Sequence, residues 1–483
     1  MWQKVGHAKR MGRATWIHVI GAMVMLILLG ADLGGISRTP TLATTGDWST
    51  YLGDLSRDGF NGAETIINRT TAPNLKMHWT RQAAGHIASE PVKANGLIYW
   101  GSWDGLEHAT DPITGNDLWT ANLGQSTSCY TYPSGVIASI GVQSTAAIAA
   151  ILINGVSTTV DFVGGGDDQL YALDANSGNI LWQTPLASSP SHFLYSSPAV
   201  FKGSVYIGVA SLDDCPVIQG QMVQVNASTG TIQHIFNLAP NRCIGGAVWG
   251  SPTIDTINGL LYFATGNSGK CSMPEPYGSA VVELSTTDLS FVDSWQVPLS
   301  EQTKDSDFGS TPTLFQATIG GVLHKMLGLL NKNGIYYALD RTNLSAGPLW
   351  QVSVATPGTS PDKGKGSISS SSWDGTNLYV ATGKTVLQGA NCAGSLRALN
   401  PVDGTLIWAQ CIPGRVLAPV ITVPGLVVVV GGTHMYVEDA TTGNILFSFR
   451  DAKTNSNFWG AATISNGVLY QGNMDGNLYA FGL

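Results

Sequence analysis

The stretch DFVGGGDDQLYALDANSGNILW, residues 161–182, decides the fold. A strand-like run ends in a Gly-Asp turn. A second run, QLYALD, leads into an S-G turn, and a third run ends in Trp182. Alternating apolar residues in such runs bury strand faces, and D-G, N-G, S-G and T-G pairs supply the positive φ that tight hairpins need. The pattern returns in LIYWGSWDGLEHATDPITGNDLW (97–119), GIYYALDRTNLSAGPLW (334–350) and LVVVVGGTHMYVEDATTGNILF (426–447), with looser copies from 204, 260 and 377. That makes seven units. An eighth, VLYQGNMDGNLYAFGL (468–483), stops before its Trp-ending strand, and Asn74–Trp79, NLKMHW, supplies the missing piece from the other end of the chain. The reading is an all-β, eight-bladed propeller of four-stranded blades, its last blade closed by strands from both termini, so that no sheet edge is left free. The recurring Trp79, Trp119, Trp182, Trp295, Trp350 and Trp408 are expected to pack on the neighbouring blade and donate one hydrogen bond each.

Composition agrees. Of 483 residues only 12% are charged, while Gly numbers 58 and Pro 22, a turn-rich mixture poor in helix formers. A net charge of −8 with no run of Lys and Arg excludes a nucleic-acid binder. Lys4, Lys9, Arg10 and Arg13 precede an apolar run at 19–31, too short for an ordinary membrane span and suited to an export signal. Residues 1–31 are therefore a signal peptide or an uncleaved N-terminal membrane anchor, 32–46 a linker and 47–483 the propeller, placed outside the cytoplasm. Six cysteines with no C-x-x-C fit disulfides in an exported chain. Cys392 and Cys411 flank one strand-turn-strand unit and are expected to pair; Cys215 with Cys243 is a second expectation. His86, His192 and His434 are isolated and read as structural. Asn68-Arg69-Thr70 fits a glycosylation pattern.

The repeated A-L-D-x-x-x-G-x-x-x-W in an eightfold ring resembles the pyrroloquinoline quinone (PQQ) propeller superfamily, over roughly residues 47 to 483. That superfamily contains quinoprotein alcohol and sugar dehydrogenases and an outer-membrane assembly lipoprotein that binds no cofactor. In the dehydrogenases a Trp-Gly forms the floor under the quinone, and a T-G-N eighteen residues on gives a calcium-ligand Asn; Trp249-Gly250 and Thr265-Gly266-Asn267 match. Their catalytic Asp precedes a P-T-L strand, and a Lys or Arg follows in a K/R-x-G turn. Here Asp305 and, as an alternative, Asp307 precede Pro312-Thr313-Leu314, and Lys332-Asn333-Gly334 follows. Trp459-Gly460 resembles another cofactor-contacting Trp.

The resemblance implies PQQ bound by Trp249, Lys332 and Trp459, and Ca²⁺ held by Asn267 and Asp305, with Asp213 or Asp214 in place of a missing Glu. It implies Asp305 or Asp307 as base beside Lys332. Two family features are absent: the adjacent Cys-Cys pair, with only Cys129 nearby, and the Asn of the sixth unit, replaced by a Ser-rich run at 367–372. With no C-x-x-C-H for haem, electrons need an external acceptor. The function implied is a PQQ- and Ca²⁺-dependent dehydrogenase oxidising an alcohol, sugar or polyol. The alternative is a non-catalytic scaffold that binds proteins or envelope material.

Overall fold

The computed structural model describes residues 46–131, 137–186, 191–240, 243–269, 271, 273, 275–453 and 456–483. The expected export segment (1–31) and nearly all of the linker (32–46) lie outside the described residues. Everything described falls within one compact unit, 40–483. Eight antiparallel blades follow one another along the chain. Blade one is Val92–Ala94, Leu97–Gly101, Leu106–Thr110 and Asp117–Asn122. Blades two to seven occupy 147–185, 192–237, 253–296, 313–353, 372–412 and 421–450. Blade eight joins Thr463–Ser465, Val468–Gly472 and Asn477–Gly482 to Lys76–Gln82, in the split arrangement read from the termini. Its innermost strand starts a few residues before the 468–483 stretch. Blade three differs, because both His192–Phe193 and Ala199–Phe201 pair with its second strand.

Each blade runs inner strand, two middle strands, outer strand. Middle strands are covered on both sides by neighbouring blades and read as near-continuous buried runs, such as Leu97–Gly101 and Ser204–Ser211. Outer strands face solvent on one side and alternate; Pro348–Ser353 does so residue by residue. The hydrophobic core is thus distributed over the seams between blades.

Five of the recurring tryptophans make one contact. Trp79, Trp119, Trp182, Trp350 and Trp408 each donate the indole N–H to a lower-turn carbonyl of the next blade at 3.0 Å. The ring then lies on the turn glycine. At Gly178 (φ +73°) a Cβ would stand 2.6 Å from the Trp119 ring, so only glycine fits, for backbone and space alike. Trp295 packs beside Gly347 in the same way without a described hydrogen bond to its indole nitrogen.

A second tie runs near the axis. Glu90 N–H donates to Thr145 Oγ1 (2.9 Å), Thr145 N–H to Ser197 Oγ (3.0 Å), Ser197 N–H to Ser251 Oγ (2.9 Å), Ser251 N–H to Thr311 Oγ1 (3.0 Å) and Thr311 N–H to Ser370 Oγ (2.9 Å). This belt links blades one to six. The Ser-rich run belongs to it: Ser369 Oγ donates to Ala418 O, and Ser371 and Ser372 bond Thr313 and Thr422.

Residues 48–61 form a strap that touches every blade on the lower face, in ring order except for blade three. Trp48 bridges Lys93 of blade one, and Ser49 O accepts from Ile148 N of blade two. Leu55, Ser56, Asp58 and Gly59 carbonyls accept from Ile254, Leu314, Trp373 and Thr422 of blades four to seven. Asn61 Nδ2 reaches Ile464 O of blade eight at 2.8 Å. Arg57, fully buried, covers blade three through Pro198 O (3.2 Å) and also donates to Pro252 O (3.1 Å).

All six cysteines are paired. Cys392–Cys411 forms as expected. The expected Cys215–Cys243 pair does not: Cys215 joins Cys129 and Cys243 joins Cys271. The upper loop of blade three turns toward the hairpin between blades one and two, and the link out of blade three meets the upper loop of blade four. Closeness in sequence did not reveal either crossing. Among the described residues no helix is long and apolar enough to cross a membrane.

Candidate functional site

A meander of four strands returns the chain to the upper face twice per blade: in the loop between the middle strands and in the link to the next blade. Trp249 and Asp307 lie in such links, and Asp214, Asn267 and Lys332 follow second strands, so all converge on the upper face. There a cavity of about 400 Å³ is lined by Trp249, Asn267, Asp307, Lys332, Asp213 and Asp214, together with Gln143 and Tyr195. Other hollows on the lower face are larger or similar in size but hold none of these groups.

Trp249 is the partition of the axis. It lines both this cavity and a narrower one of about 110 Å³ beneath it, which reaches Tyr51 of the strap and Glu90. Its indole lies across to blade five, where Gly309 makes room: a Cβ there would stand 2.2 Å from Trp249 Cη2. Lys332 Nζ sits 5.2 Å from the centre of a Trp249 ring. Lys332 is itself held at 2.6 Å by Asp307 Oδ1 and at 3.2 Å by Asp305 Oδ2. Asn267 Nδ2 donates to Asp305 Oδ1 at 2.7 Å, while its Oδ1 accepts from Ser306 N (3.2 Å) and Ser279 Oγ (3.3 Å). Trp459 stands apart from this group. It lines the lower cavity, edge-on to Trp103 at 6.3 Å, with its indole N–H unpartnered.

Burial opposes every charge here, and geometry decides which survive. For Lys332, burial is outweighed by Asp307 and Asp305, and the ammonium is held above its ordinary range. For Asp305, burial is outweighed by Lys332 and by the hydrogen bond from Asn267, and the carboxylate lies below its ordinary range. Asp307 is deeper, and burial pushes it up to about 7 despite the adjacent ammonium. Asp214 is raised, by burial first. The site therefore pairs an ionised carboxylate with a more proton-retentive one around a single cation.

The sequence reading had missed Gln143, Tyr195 and Gly309, each occupying the position in its own blade that Trp249 holds in blade four. A signal existed for two of them: the S/T-P step before inner strands (Ser197-Pro198, Ser251-Pro252, Thr311-Pro312) marks that register two residues earlier, whereas Gln143, before Ser144-Thr145-Ala146, carries no such step. The three isolated histidines line neither cavity. His86 meets the edge of Trp103, and His434 stacks on Tyr436.

Comparison with known proteins agrees with this architecture. A quinohemoprotein alcohol dehydrogenase of Comamonas testosteroni is 25% identical over 340 residues, 62% of this chain and 46% of its own. A polyvinylalcohol dehydrogenase of Sphingopyxis sp. (strain 113P3) is 23% identical over 392 residues, 69% of this chain and 56% of its own. The chain thus spans about half the length of these curated relatives. A europium-containing methanol dehydrogenase structure superposes with a TM-score of 0.73 at 15% identity, covering 91% of this chain and 98% of that one, which shows the shared fold. The profile described as outer membrane protein assembly factor BamB matches residues 103–311 and 332–482, and the chain belongs to that family, an eight-bladed PQQ-type propeller of the quinoprotein alcohol dehydrogenase-like superfamily.

Proposed function

We propose that the upper cavity holds PQQ and Ca²⁺, and that the protein oxidises an alcohol, sugar or polyol and delivers the electrons to a separate acceptor. The observation that carries this reading is the partition by Trp249: a flat indole closing a cavity of about 400 Å³, with Lys332 beside it and carboxylates at its edge. The residues fit the group. The indole matches a planar ring, and the Asn267, Asp305 and Asp214 oxygens, with Asp213 beside them, are the hard donors that Ca²⁺ takes. The names of the curated relatives, an alcohol dehydrogenase and a polyvinylalcohol dehydrogenase, support the substrate class.

When bound, the quinone would supply the electrophilic carbon that takes a hydride, and Ca²⁺ a Lewis acid beside it. The chain's own groups do the rest. Asp305, ionised at neutral pH, accepts the proton of the substrate hydroxyl. Lys332, fixed by two carboxylates, holds positive charge where negative charge gathers on the ring. Asp307 keeps Lys332 oriented and is the alternative base. Trp249 fixes the plane and bars the axis to water. Trp459, which lines the narrower cavity together with Trp249, is the second indole assigned to the ring. The stretch read as a signal peptide or membrane anchor (1–31) and the disulfides support a place outside the cytoplasm, secreted or in the periplasm or cell envelope.

Two observations favour the scaffold reading instead. The Asn267 carboxamide oxygen is already engaged by Ser306 and Ser279, and the matching family is that of an outer membrane protein assembly factor. Reconstitution separates the two. Calorimetry with PQQ and Ca²⁺ should show stoichiometric binding that Asn267→Ala abolishes, followed by dye-linked alcohol oxidation. Absence of binding heat and of quinone absorbance on the protein would leave the scaffold.

A further inference from the structure

Beyond the cavity, the upper face is unevenly charged. The chain has a net charge of −8, yet six of its 24 Lys and Arg gather on the upper side of blades five to seven: Lys332, Lys363, Lys365, Lys384, Arg397 and Arg415. The link from blade five to blade six brings them together. Gly358 N–H donates to Lys332 O (3.1 Å), Thr356 N–H to Lys384 O (2.8 Å) and Lys384 N–H to Gly364 O (2.8 Å). At Gly364 a Cβ would stand 3.3 Å from Lys384 Cγ and 3.5 Å from Arg415 Cβ, and at Gly366 3.4 Å from Lys332 Cβ. The short turn Pro361–Lys363 thus sets Lys363 and Lys365 on either side of a glycine that touches Lys384 and Arg415.

Lys332 is paired with Asp305 and Asp307, but the outer four cations lack counter-charges. Among the described residues the ion pairs of the protein include none of Lys363, Lys365, Lys384 and Arg415, although Asp362 lies in the same turn. Arg415 Nε is buried with no hydrogen-bond partner. Behind them Arg397, 6% exposed, rests on hydroxyls alone: Thr385 Oγ1 at 2.9 Å, Thr382 Oγ1 at 3.4 Å and Ser395 Oγ. Burial lowers its pKa only to about 10, so it stays charged at neutral pH. Gathered like charges and an orphaned guanidinium nitrogen call for an anion.

We propose that this rim is an oxyanion-binding site for carboxylate or phosphate groups of small molecules, centred on Lys384 and Arg415 with Lys363 and Lys365 as outer arms. A guanidinium matches the paired oxygens of either group, and the lysines add point charges. The site needs neither PQQ nor Ca²⁺ and stands apart from the reading of the cavity.

Calorimetry on the full chain without added Ca²⁺, at constant ionic strength, tests it with succinate and with inorganic phosphate against chloride. Saturable binding of one or both anions is expected, at least about tenfold tighter than chloride, and the two arms tell carboxylate from phosphate. Lys384→Ala with Arg415→Gln should weaken it about tenfold or more. Lys363→Ala with Lys365→Ala, on exposed side chains, should weaken it severalfold, so the test survives if the first variant misfolds. Lys202→Ala and Asn267→Ala should leave it unchanged. No saturable binding, or binding indifferent to both double variants, would overturn the proposal.

Discussion

Trp119 and Trp249 are the same residue put to opposite uses. Trp119 repeats a contact made five times around the ring: indole N–H on a turn carbonyl, ring on a turn glycine, blade locked to blade. Trp249 makes its contact once. Its ring lies on Gly309, closes a cavity and faces Lys332. The repeated contact is the mark of scaffold and the unrepeated one the mark of a site. The lower seams and the upper cavity should therefore answer mutation differently, seams through stability and cavity through ligand affinity.

The largest effect belongs to a seam. Trp119→Ala should lower unfolding free energy by about 3–5 kcal/mol, as large-to-small changes at buried aromatics do, while quinone affinity per folded molecule stays unchanged. Denaturant unfolding beside a PQQ titration checks both halves. Next comes the staple of blade six: Cys392→Ser with Cys411→Ser opens a 19-residue separation and should cost ~3 kcal/mol by loop-closure entropy, again without touching the ligand. Trp249→Ala should invert this profile. PQQ affinity should fall at least about a hundredfold, ~2.7 kcal/mol, with a stability loss nearer ~1 kcal/mol. Equal damage to stability from both tryptophans would erase the distinction.

A pH series sharpens the seam side. Glu438 is fully buried in blade seven with both carboxylate oxygens unpartnered, and burial raises its pKa to about 8. Its folded pKa exceeds its unfolded one, so below pH 4.5 it is neutral in both states and costs nothing. As pH rises from 4.5 toward 8 the unfolded chain releases the proton first, and stability falls through that window. Glu438→Gln should flatten the slope and gain about 2 kcal/mol at pH 8 relative to the parent. Smallest is Gly309→Ala. Its new methyl would press on the Trp249 ring, weakening PQQ binding by about tenfold, ~1.4 kcal/mol, with the ring of blades intact.

The blades were legible because each unit repeats local rules: apolar alternation, a glycine turn, a terminal Trp. The split eighth blade was legible because NLKMHW carries the same rules at the far end of the chain. Asn267, Asp305 and Lys332 could be named because the short motifs around them resemble those of the PQQ propellers, and the structure brings their side chains into contact. What escaped was long-range. Neither the Cys129–Cys215 crossing nor the position of Gly309 under a tryptophan sixty residues earlier follows from local pattern. The cations of the upper rim are spread from 332 to 415, so no basic run shows in the sequence, and only the link between blades five and six gathers them.

The strap carries a consequence for how the molecule is made. Residues 48–61 leave the ribosome before any blade, yet their last partner, Ile464, comes 403 residues after Asn61. The first segment synthesised is among the last to be satisfied. Such distant pairings slow folding, because the loop must close before the contact rewards it. Until the eighth blade arrives, the Asn61 carboxamide waits for its bond to Ile464 O, and a chain stopped short never makes it. The strap thus acts as a check on completeness: a full-length ring can be tied, whereas a truncated one keeps open edges and meets the fate of unfinished β-proteins, aggregation or proteolysis.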